Sequence, residues 1–349
     1  MQSVFQIGDR KVGIGQPVFI TAEIGLNHNG NPELARKLIK AAADAGVDGV
    51  KFQVFRADTF ISGDIAKAKC QKARLDSNEM LFEMWQRLEL SPTVLHELSI
   101  YARDLGMFFY ASAFNFESVE LLEELGVQVF KVASGEVTNL PLIRRMAEKH
   151  HPMIMSMGMA SLGEIEAALN AIRRTGNNQV ALLHCVANYP TELADVNLRR
   201  MEKLRQVFDV PVGYSDHTTS IWSSVAAVAL GAVFLEKHIT LDKNQPGTDH
   251  ILSADPAEMK AIVQGVRAVE AALGSARLEM LETEQEGRTL FRRGLVAAKA
   301  IPAGTVIASD MVTAKRPATG IEPAHLEIII GRMARRNIAN GAPITWEDV

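Results

Sequence analysis

Two histidines stand at the ends of two apolar runs in the second half of this 349-residue chain. His217 follows the apolar residues 210–212, and His238 follows the apolar residues 232–234. Because residues 220–231 between them have the composition of a buried helix, both histidines would end neighbouring parallel strands. Two imidazoles at one mouth can hold a divalent metal and leave positions open for substrate and water. The alternative is two unrelated histidines, one a cap and one a hydrogen-bonded core residue.

Polar side chains also follow the other apolar runs, where further strands would end. They are Glu23, Lys51, Gln53, Ser112, Lys131, Ser134, Ser156 and Ser215. Two lysines and four serines at one mouth would form a site for a phosphate group, since lysine supplies charge and hydroxyls supply short donors. Each serine taken alone could instead cap the following helix. The sequence shows no obvious carboxylate partner for either lysine, and a strand-end lysine is rarely buried unpaired, so an anionic ligand is expected.

Eight apolar runs alternate with amphipathic segments between residues 17 and 274. The predicted strands are 18–24, 49–55, 107–112, 127–132, 153–157, 180–186, 210–215 and 232–238. The predicted helices are 33–45, 94–105, 118–125, 142–149, 165–174, 199–208, 221–230 and 257–273. Strands that are apolar throughout are buried on both faces, as in parallel sheets. Eight such units predict a (β/α)₈ TIM barrel, with an open doubly wound sheet as the alternative.

Two segments depart from this alternation. Residues 56–92 form a partly polar insertion after the second strand, which could be an active-site loop or a solvated excursion. After the barrel, residues 1–274, a charged linker spans 275–289 and a small β-rich domain spans 290–349. That domain has strand-like pieces at 294–297, 304–307, 310–316 and 342–345. Its size predicts that it packs on another surface.

Composition limits the classes of partner and compartment. A net charge of −4, with 47% hydrophobic and 22% charged residues, predicts neither nucleic acid nor an anionic membrane as a partner. The two cysteines, Cys70 and Cys185, are too few for a disulfide framework. Residues 1–10 lack a signal-peptide pattern, and the weakly polar run 223–235 is too short to span a bilayer. These features predict a cytoplasmic enzyme.

The same residues resemble the sialic acid synthase family, the phosphoenolpyruvate-condensing synthases of nonulosonic acids, over essentially the whole chain. The resemblance rests on several motifs in the family's order. These are Glu23-Ile24-Gly25-x-Asn27-His28-x-Gly30, Lys51-x-Gln53, Lys131-x-x-Ser134-Gly135-Glu136, Tyr189-Pro190-Thr191, Ser215-Asp216-His217-Thr218, Glu236-Lys237-His238 and Lys315-Arg316-Pro317. It implies a (β/α)₈ barrel followed by a small antifreeze-like (SAF) domain. It also implies a homodimer that exchanges its C-terminal domains, so that Arg316 of one chain completes the other's catalytic site.

The resemblance further implies roles for individual residues. His217 and His238 would be catalytic metal ligands for a divalent ion, Mn²⁺ or else Mg²⁺ or Co²⁺. Glu136 would lie beside the reacting carbons. Phosphoenolpyruvate would be bound by Lys51, Ser112, Lys131, Ser134, Ser156 and Ser215. The acylamino sugar would be bound by Glu23, Gln53, Tyr189, Asp249 and Arg316.

The implied activity is that of a transferase that forms a carbon–carbon bond. Phosphoenolpyruvate would condense with an open-chain acylamino hexose, such as N-acetylmannosamine or a relative, with C–O cleavage and phosphate release. The product would be N-acetylneuraminate, legionaminate or pseudaminate. Two other classes remain open: a Schiff-base aldolase that uses Lys131 or Lys51, and a non-catalytic protein of sugar binding or polysaccharide assembly. Borohydride trapping would favour the aldolase, and a lack of phosphate release would favour the non-catalytic protein.

Overall fold

The computed structural model describes residues 4–61 and 80–349. The chain divides into two compact units, the first ending at Gly274 and the second beginning at Ser275. Within the described residues, no helix combines the length and the apolar character needed to cross a membrane.

The first unit opens with a hairpin and continues into a closed barrel. The hairpin strands β1 (Val4–Ile7) and β2 (Arg10–Gly13) are antiparallel, and the sequence did not predict them. The barrel strands are β3 (Phe19–Gly25), β4 (Gly49–Val54), β5 (Phe108–Ala113), β6 (Phe130–Val132), β7 (Met153–Ser156), β8 (Val180–Cys185), β9 (Val212–Asp216) and β10 (Phe234–His238). All eight are parallel, and β10 closes the ring against β3. The predicted (β/α)₈ barrel is confirmed.

Helices surround the barrel. They are α1 (Pro32–Ala45), α2 (Ala57–Phe60), α3 (Leu81–Leu88), α4 (Pro92–Asp104), α5 (Phe116–Glu124), α6 (Leu140–Ala147), α7 (Leu162–Arg173), α8 (Arg200–Phe208), α9 (Trp222–Ala229) and α10 (Pro256–Leu273). Single 3₁₀ turns lie at Ser134–Glu136, Leu193–Asp195 and His250–Leu252. The insertion at 56–92 contributes α2 and α3, and its residues 62–79, with Cys70, lie outside the described residues.

Local sequence explains where several of these helices begin. The Asn31 side chain accepts hydrogen bonds from the first-turn amides of Glu33 and Leu34, and Pro32 supplies a preset φ. Ser161 and Glu164 form a reciprocal capping box at the start of α7. Each cap satisfies backbone donors that have no partner inside the helix, so the helix starts at a defined residue. The caps thus define the first residues of α1 and α7.

The strands pack closely because they carry apolar side chains on both faces. Phe19 and Phe234 are fully buried, and their rings stack with centroids 5.0 Å apart. At Gly213, a Cβ atom would lie 2.3 Å from the carbonyl oxygen of Phe234 on the neighbouring strand. Only glycine at this position therefore lets β9 and β10 approach this closely. His217 directly follows β9, and His238 is the last residue of β10.

The second unit has its own small core and little regular sheet. It contains a 3₁₀ turn at Glu282–Glu284, then α11 (Gln285–Phe291), β11 (Gly294–Ala297), β12 (Val312–Lys315) and α12 (Leu326–Ile329), with 3₁₀ turns at Ser309–Met311 and Pro323–His325. Strands β11 and β12 pair in antiparallel fashion. The predicted pieces 304–307 and 342–345 form isolated bridges instead of strands, Val306 with Met333 and Pro343 with Val296. Proline lacks the amide proton that a longer ladder would need at this point.

Candidate active site

A cavity of ≈ 340 Å³ opens at the carboxyl ends of the barrel strands, where TIM barrels carry their functional groups. The predicted site residues that line it are Glu23, Lys51, Gln53, Ser112, Lys131, Ser134, Ser156, Tyr189, Ser215, His217, His238 and Asp249. They come from every strand of the barrel or from the loop that follows it. The fold therefore brings twelve side chains, chosen from sequence, to one place.

Two predicted site residues lie elsewhere. Glu136 is in the 3₁₀ turn after β6 and is not among the cavity-lining residues; its carboxylate accepts a hydrogen bond of 2.8 Å from the Asn139 side chain. Arg316 belongs to the second unit, where its guanidinium lies 5.9 Å from the centre of the Phe291 ring.

The ends of β9 and β10 alternate between the cavity and the helical layer, as the two-residue period of a strand requires. Ser215 and His217 line the cavity, as do Glu236 and His238. Between them, Asp216 and Lys237 are buried on the opposite face.

Asp216 and Lys237 connect the ends of β9 and β10 to each other and to α9 on the outer face of the barrel. Asp216 accepts hydrogen bonds of 2.7 Å from Ser223 and 2.6 Å from Ser224, both on α9. It also pairs with Lys237 at 3.4 Å, and the two residues are direct partners in the β9–β10 register. The buried ion pair therefore joins the ends of the two strands whose neighbouring histidines line the cavity.

Four charged groups meet at the floor of the cavity. Lys51 Nζ lies 2.9 Å from a Glu23 oxygen and 3.6 Å from a Glu236 oxygen, and Lys131 Nζ lies 3.7 Å from the other Glu236 oxygen. The expectation that the lysines lack carboxylate partners is therefore corrected: each is paired with a carboxylate on another strand. Two ammonium and two carboxylate groups make this cluster neutral, as burial of the lysines to 4% and 2% exposure requires.

The pKa values of this cluster follow from burial and pairing. Burial lowers the pKa of Lys131, and the attraction of Glu236 offsets that only in part. Burial raises the pKa of Glu236, but Lys131 and Lys51 outweigh it, so this pKa lies below its usual value. Glu236 is therefore a carboxylate at neutral pH, and its negative charge offsets the repulsion between the Lys51 and Lys131 ammonium groups.

Hydroxyl and amide side chains complete the polar floor. Lys131 Nζ donates to Ser156 Oγ at 2.7 Å, and Ser215 Oγ donates to Glu236 at 2.9 Å. Gln53 Nε2 donates to Glu23 at 3.1 Å. Ser134 Oγ accepts a bond of 2.9 Å from the Gly158 amide, because β6 ends before it and the following turn directs it inward. Glu236 Oε2 keeps no hydrogen-bond partner and lies 3.7 Å from Lys131 Nζ, which leaves capacity for a ligand's donor.

The two histidines lie side by side in the cavity. Their ring centroids are 5.4 Å apart, and both rings are buried. His217 Nδ1 bonds the Val186 carbonyl oxygen at 2.8 Å, which leaves its Nε2 as a lone-pair donor. His238 Nδ1 is a buried nitrogen without a hydrogen-bond partner, 3.6 Å from an Asp249 oxygen. These donors fit a divalent ion.

Among the described residues, no group of three or more histidine, cysteine, aspartate and glutamate side chains is arranged to hold an ion by itself. Two protein ligands would leave the remaining positions to substrate and water.

Protonation of the histidines bears on this fit. Burial lowers the pKa of His217, but attraction to the Cys185 thiolate and the hydrogen bonds to Cys185 and the Val186 carbonyl outweigh burial and raise that pKa to about 9. Burial and the neighbouring His217 hold the pKa of His238 well below its usual range, so His238 is neutral. A divalent ion would compete with the proton on His217, because only the neutral ring has a lone pair to donate.

Several cavity residues escaped the sequence-based assignment. Glu236 had a signal, since it lies two residues before His238 and so on the same face of the strand. Cys185 ends β8 and faces His217 at 3.6 Å, but a lone cysteine carries little information in sequence. Trp85 and Phe114 line the cavity from the loops after β4 and β5, and only the fold places them there.

Comparison with known proteins agrees with this geometry. The NeuB family model matches residues 38–277, and the SAF domain model matches residues 292–349. The chain is 43% identical over 320 residues to the N,N'-diacetyllegionaminic acid synthase of Campylobacter jejuni, covering 91% of this chain and 96% of that protein. It is 39% identical over 346 residues to the synthase of the same name from Legionella pneumophila, covering 98% and 97%.

A solved structure has the same architecture. The N-acetylneuraminic acid (sialic acid) synthetase of Leptospira borgpetersenii, crystallised with citrate, superposes with a TM-score of 0.73 at 32% identity. The match covers 82% of this chain and 95% of that one. The family resemblance drawn from the motifs is thereby confirmed. With a family match over most of the barrel and relatives that align along nearly the whole chain, this protein belongs to the NeuB family of sialic acid synthases and carries a C-terminal SAF domain.

Proposed function

We propose that the protein condenses phosphoenolpyruvate with the aldehyde of an open-chain acylamino hexose, with release of phosphate. The observation that carries this proposal is the neutral lysine–carboxylate cluster (Lys51, Lys131, Glu23 and Glu236) beside two buried imidazoles in one cavity. Such a floor can bind an anion and a carbonyl compound side by side. The relatives' names support the class of product.

Phosphoenolpyruvate would bind over the lysines and serines of the floor. Lys51 Nζ also donates to Ser112 Oγ, Lys131 Nζ donates to Ser156 Oγ, and Ser215 Oγ donates to Glu236, so three hydroxyls lie beside the same charges. Charge-assisted bonds from these donors to phosphate are the strong ones in a buried site. Ser134, held by the Gly158 amide, would add a further hydroxyl.

Charge balance supports a metal at the histidines. The floor is neutral before phosphoenolpyruvate binds, so the ligand's negative charges need compensation. A divalent cation between His217 and His238, preferably Mn²⁺ with Mg²⁺ or Co²⁺ as alternatives, would supply it and would polarise the acceptor's aldehyde as a Lewis acid. His217 is oriented for this by the Val186 carbonyl group.

The remaining residues would orient the acceptor and manage its charge. Glu23 and Gln53 are hydrogen-bonded to each other and face the cavity, as do Tyr189 and Asp249. The methylene carbon of phosphoenolpyruvate would attack the aldehyde carbon and form the new carbon–carbon bond. The phosphate-bearing carbon then becomes an oxocarbenium, takes up water and loses phosphate by C–O cleavage. By family resemblance, the carboxylate of Glu136 would stabilise that cation or accept the water's proton.

The proposal is tested by acceptor-dependent phosphate release. The full-length protein is supplied with phosphoenolpyruvate, Mn²⁺ and one acceptor at a time: N-acetylmannosamine, a diacetamido hexose, and mannose, which lacks an acyl group. We expect phosphate release with at least one acylamino sugar, little with mannose, and loss of release with EDTA that Mn²⁺ restores. Phosphate release that is independent of acceptor, or none with any acylamino sugar, would contradict the proposal.

A Schiff-base aldolase is the second candidate, because the pKa of the buried Lys131 lies below its usual value. A lysine with a lowered pKa is a better nucleophile towards carbonyl groups. Borohydride in the presence of a carbonyl substrate separates the candidates. A stable adduct on Lys131 and activity that persists in EDTA would favour the aldolase.

We also propose that the protein is a homodimer with exchanged SAF domains, in which Arg316 of one chain contacts the sugar in the other chain's barrel. Mixed dimers of Arg316→Ala and His217→Ala chains test this. If domains are exchanged, one of the two sites carries both changes and the other carries neither, so activity returns after subunit exchange. If Arg316 acts in its own chain, every site keeps one change. Verified mixed dimers without activity would therefore exclude the exchange.

The proposed use of phosphoenolpyruvate would place the reaction in the cytoplasm.

A further inference from the structure

The cavity has an apolar side that the reaction chemistry does not use. Leu26, Trp85 and Phe114 line it, and we call these three residues the apolar wall. They come from the loops after β3, β4 and β5, next to the polar floor. Trp85 and Phe114 are half-buried, so their rings keep surface that faces the opening.

A separate hydrophobic cluster supports the apolar wall from behind. Trp85 meets Phe55 edge-on with ring centroids 4.8 Å apart, and meets Phe60 edge-on at 4.9 Å. Phe60 also contacts Phe114 at 4.8 Å. The buried side chains Met84 and Leu88 belong to the same cluster. Edge-to-face contacts on two sides restrict the orientation of the indole, so the wall is a fixed surface.

The backbone also fixes the helix that carries Trp85. A Cβ atom on Gly30 would lie 2.2 Å from the carbonyl oxygen of Arg87, so α3 is seated directly on the loop after β3. The Ala57 amide donates to the Glu89 carboxylate at 3.1 Å, and the Asn115 side chain donates to Thr59 at 2.6 Å. The first bond joins the two ends of the insertion, the second joins it to the loop after β5, and the close approach at Gly30 seats it on the loop after β3.

The topology places Phe114 of the apolar wall across the mouth from the first histidine, and Trp85 and Leu26 follow the next two strands of the ring, β4 and β3. In the ring of eight strands, β5 and β9 are four positions apart in either direction, and are therefore opposite each other. Phe114 directly follows β5, and His217 directly follows β9. An acceptor whose aldehyde lies at the histidines would extend across the cavity and bring its far end to the wall.

We propose that Leu26, Trp85 and Phe114 select the acceptor by the substituent at the end farthest from its aldehyde, and that they favour an acylamino group there over a hydroxyl. This inference rests on the proposed function. The methyl of an acyl group gains contact with the indole and phenyl surfaces, whereas a hydroxyl placed there loses hydrogen bonds to water. Discrimination by a hydrophobic surface is expected to be about tenfold to a hundredfold in kcat/KM.

Kinetics with a matched pair of acceptors test the proposal. The pair shares the acetamido group next to the aldehyde and differs only in acetamido against hydroxyl at the distal position. Wild-type protein should prefer the distal acetamido sugar by about tenfold or more in kcat/KM. Trp85→Ala should reduce that ratio to about threefold or less while the KM for phosphoenolpyruvate stays the same. The control is Trp222→Ala, since Trp222 on α9 is 71% exposed and is not among the cavity-lining residues; the ratio should not change.

Fluorescence gives a second readout that does not need turnover. The chain has three tryptophans, so the double variant Trp222→Phe/Trp346→Phe leaves Trp85 as the only emitter. With phosphoenolpyruvate and EDTA present, the distal acetamido sugar should shift the Trp85 emission to shorter wavelength, and its hydroxyl counterpart should do so only at about tenfold higher concentration.

The outcomes distinguish failure of the proposed acceptor selectivity from failure of the proposed reaction. An unchanged preference in a folded Trp85→Ala protein would overturn the proposal, as would an emission that does not respond to the distal acetamido sugar. Both results leave the reaction intact if phosphate is still released with acylamino sugars. No phosphate release with any acceptor would instead reject the proposed function.

Discussion

Replacing His217 or His238 with alanine is expected to lower kcat by about 1,000-fold, equivalent to about 4 kcal/mol of barrier. The two rings lie 5.4 Å apart at the ends of adjacent strands, and the described part of the chain has no third group arranged to hold the ion with them. Loss of either ring would leave a single protein ligand. The affinity for Mn²⁺, followed by EPR of the free ion, should fall in parallel with activity.

The control for this prediction is His96→Ala. His96 is an exposed residue on α4, so its loss should change neither Mn²⁺ binding nor turnover. Thermal melting should show that the His217 and His238 variants remain folded. A folded His217→Ala protein that binds Mn²⁺ as tightly as wild type, or that works fully in EDTA, would contradict the assignment.

Replacing Lys131 with methionine is expected to weaken phosphoenolpyruvate binding by about 30-fold, which corresponds to about 2 kcal/mol. Methionine keeps the length of the side chain and removes its charge. The change removes the donor to Ser156 and leaves Glu236 buried with Lys51 as its remaining lysine partner, so repulsion of the phosphate increases. Calorimetric titration of phosphoenolpyruvate into the folded variant measures the effect, and Lys51→Met should behave alike.

Lys237→Met provides the matched control. Lys237 is as deeply buried as Lys131 and also pairs with a carboxylate, but it lies on the outer face of the barrel with Asp216. Its loss should lower Tm, because a buried partner charge is left unpaired. The Kd for phosphoenolpyruvate should stay within about threefold of wild type, because no bond to the ligand is removed. An unchanged Kd in both Lys51→Met and Lys131→Met would exclude their role in binding the phosphate.

The positions of most site residues could be predicted from sequence because two rules about strands are enough to place a residue in the cavity. Apolar strands end where polar residues begin, and side chains two apart share a face. His217, His238 and Ser215 follow from these rules alone. Their convergence required the closed barrel, which the alternation of eight strands and helices favours.

The pairing of charges could not be predicted in the same way. Glu23 and Lys51 face each other because β3 and β4 pair in that register, with an irregularity between Glu23 and Gly25. Glu236 reaches Lys51 and Lys131 across the barrel interior. Neither contact leaves a local trace, since register and barrel closure are set by the packing of the whole unit.

The N-terminal hairpin and the position of Trp85 also could not be predicted from the local sequence. The N-terminal hairpin consists of two four-residue strands, too short to show a clear period. Trp85 lies on an eight-residue helix within a partly polar insertion, and its contact with the cavity arises from the ring contacts of Phe55 and Phe60. Such positions depend on tertiary packing more than on the pattern of one segment.

The bridging oxygen of phosphoenolpyruvate reports which bond breaks during the proposed condensation. The substrate is labelled with ¹⁸O between the enol carbon and phosphorus, and is incubated with the protein, Mn²⁺ and the best acylamino sugar. Condensation with C–O cleavage predicts that the label leaves in the phosphate and that the nine-carbon acid carries oxygen from solvent at that carbon. Both products are read by mass spectrometry. Retention of the label in the organic product, with unlabelled phosphate, would show P–O cleavage and contradict the account.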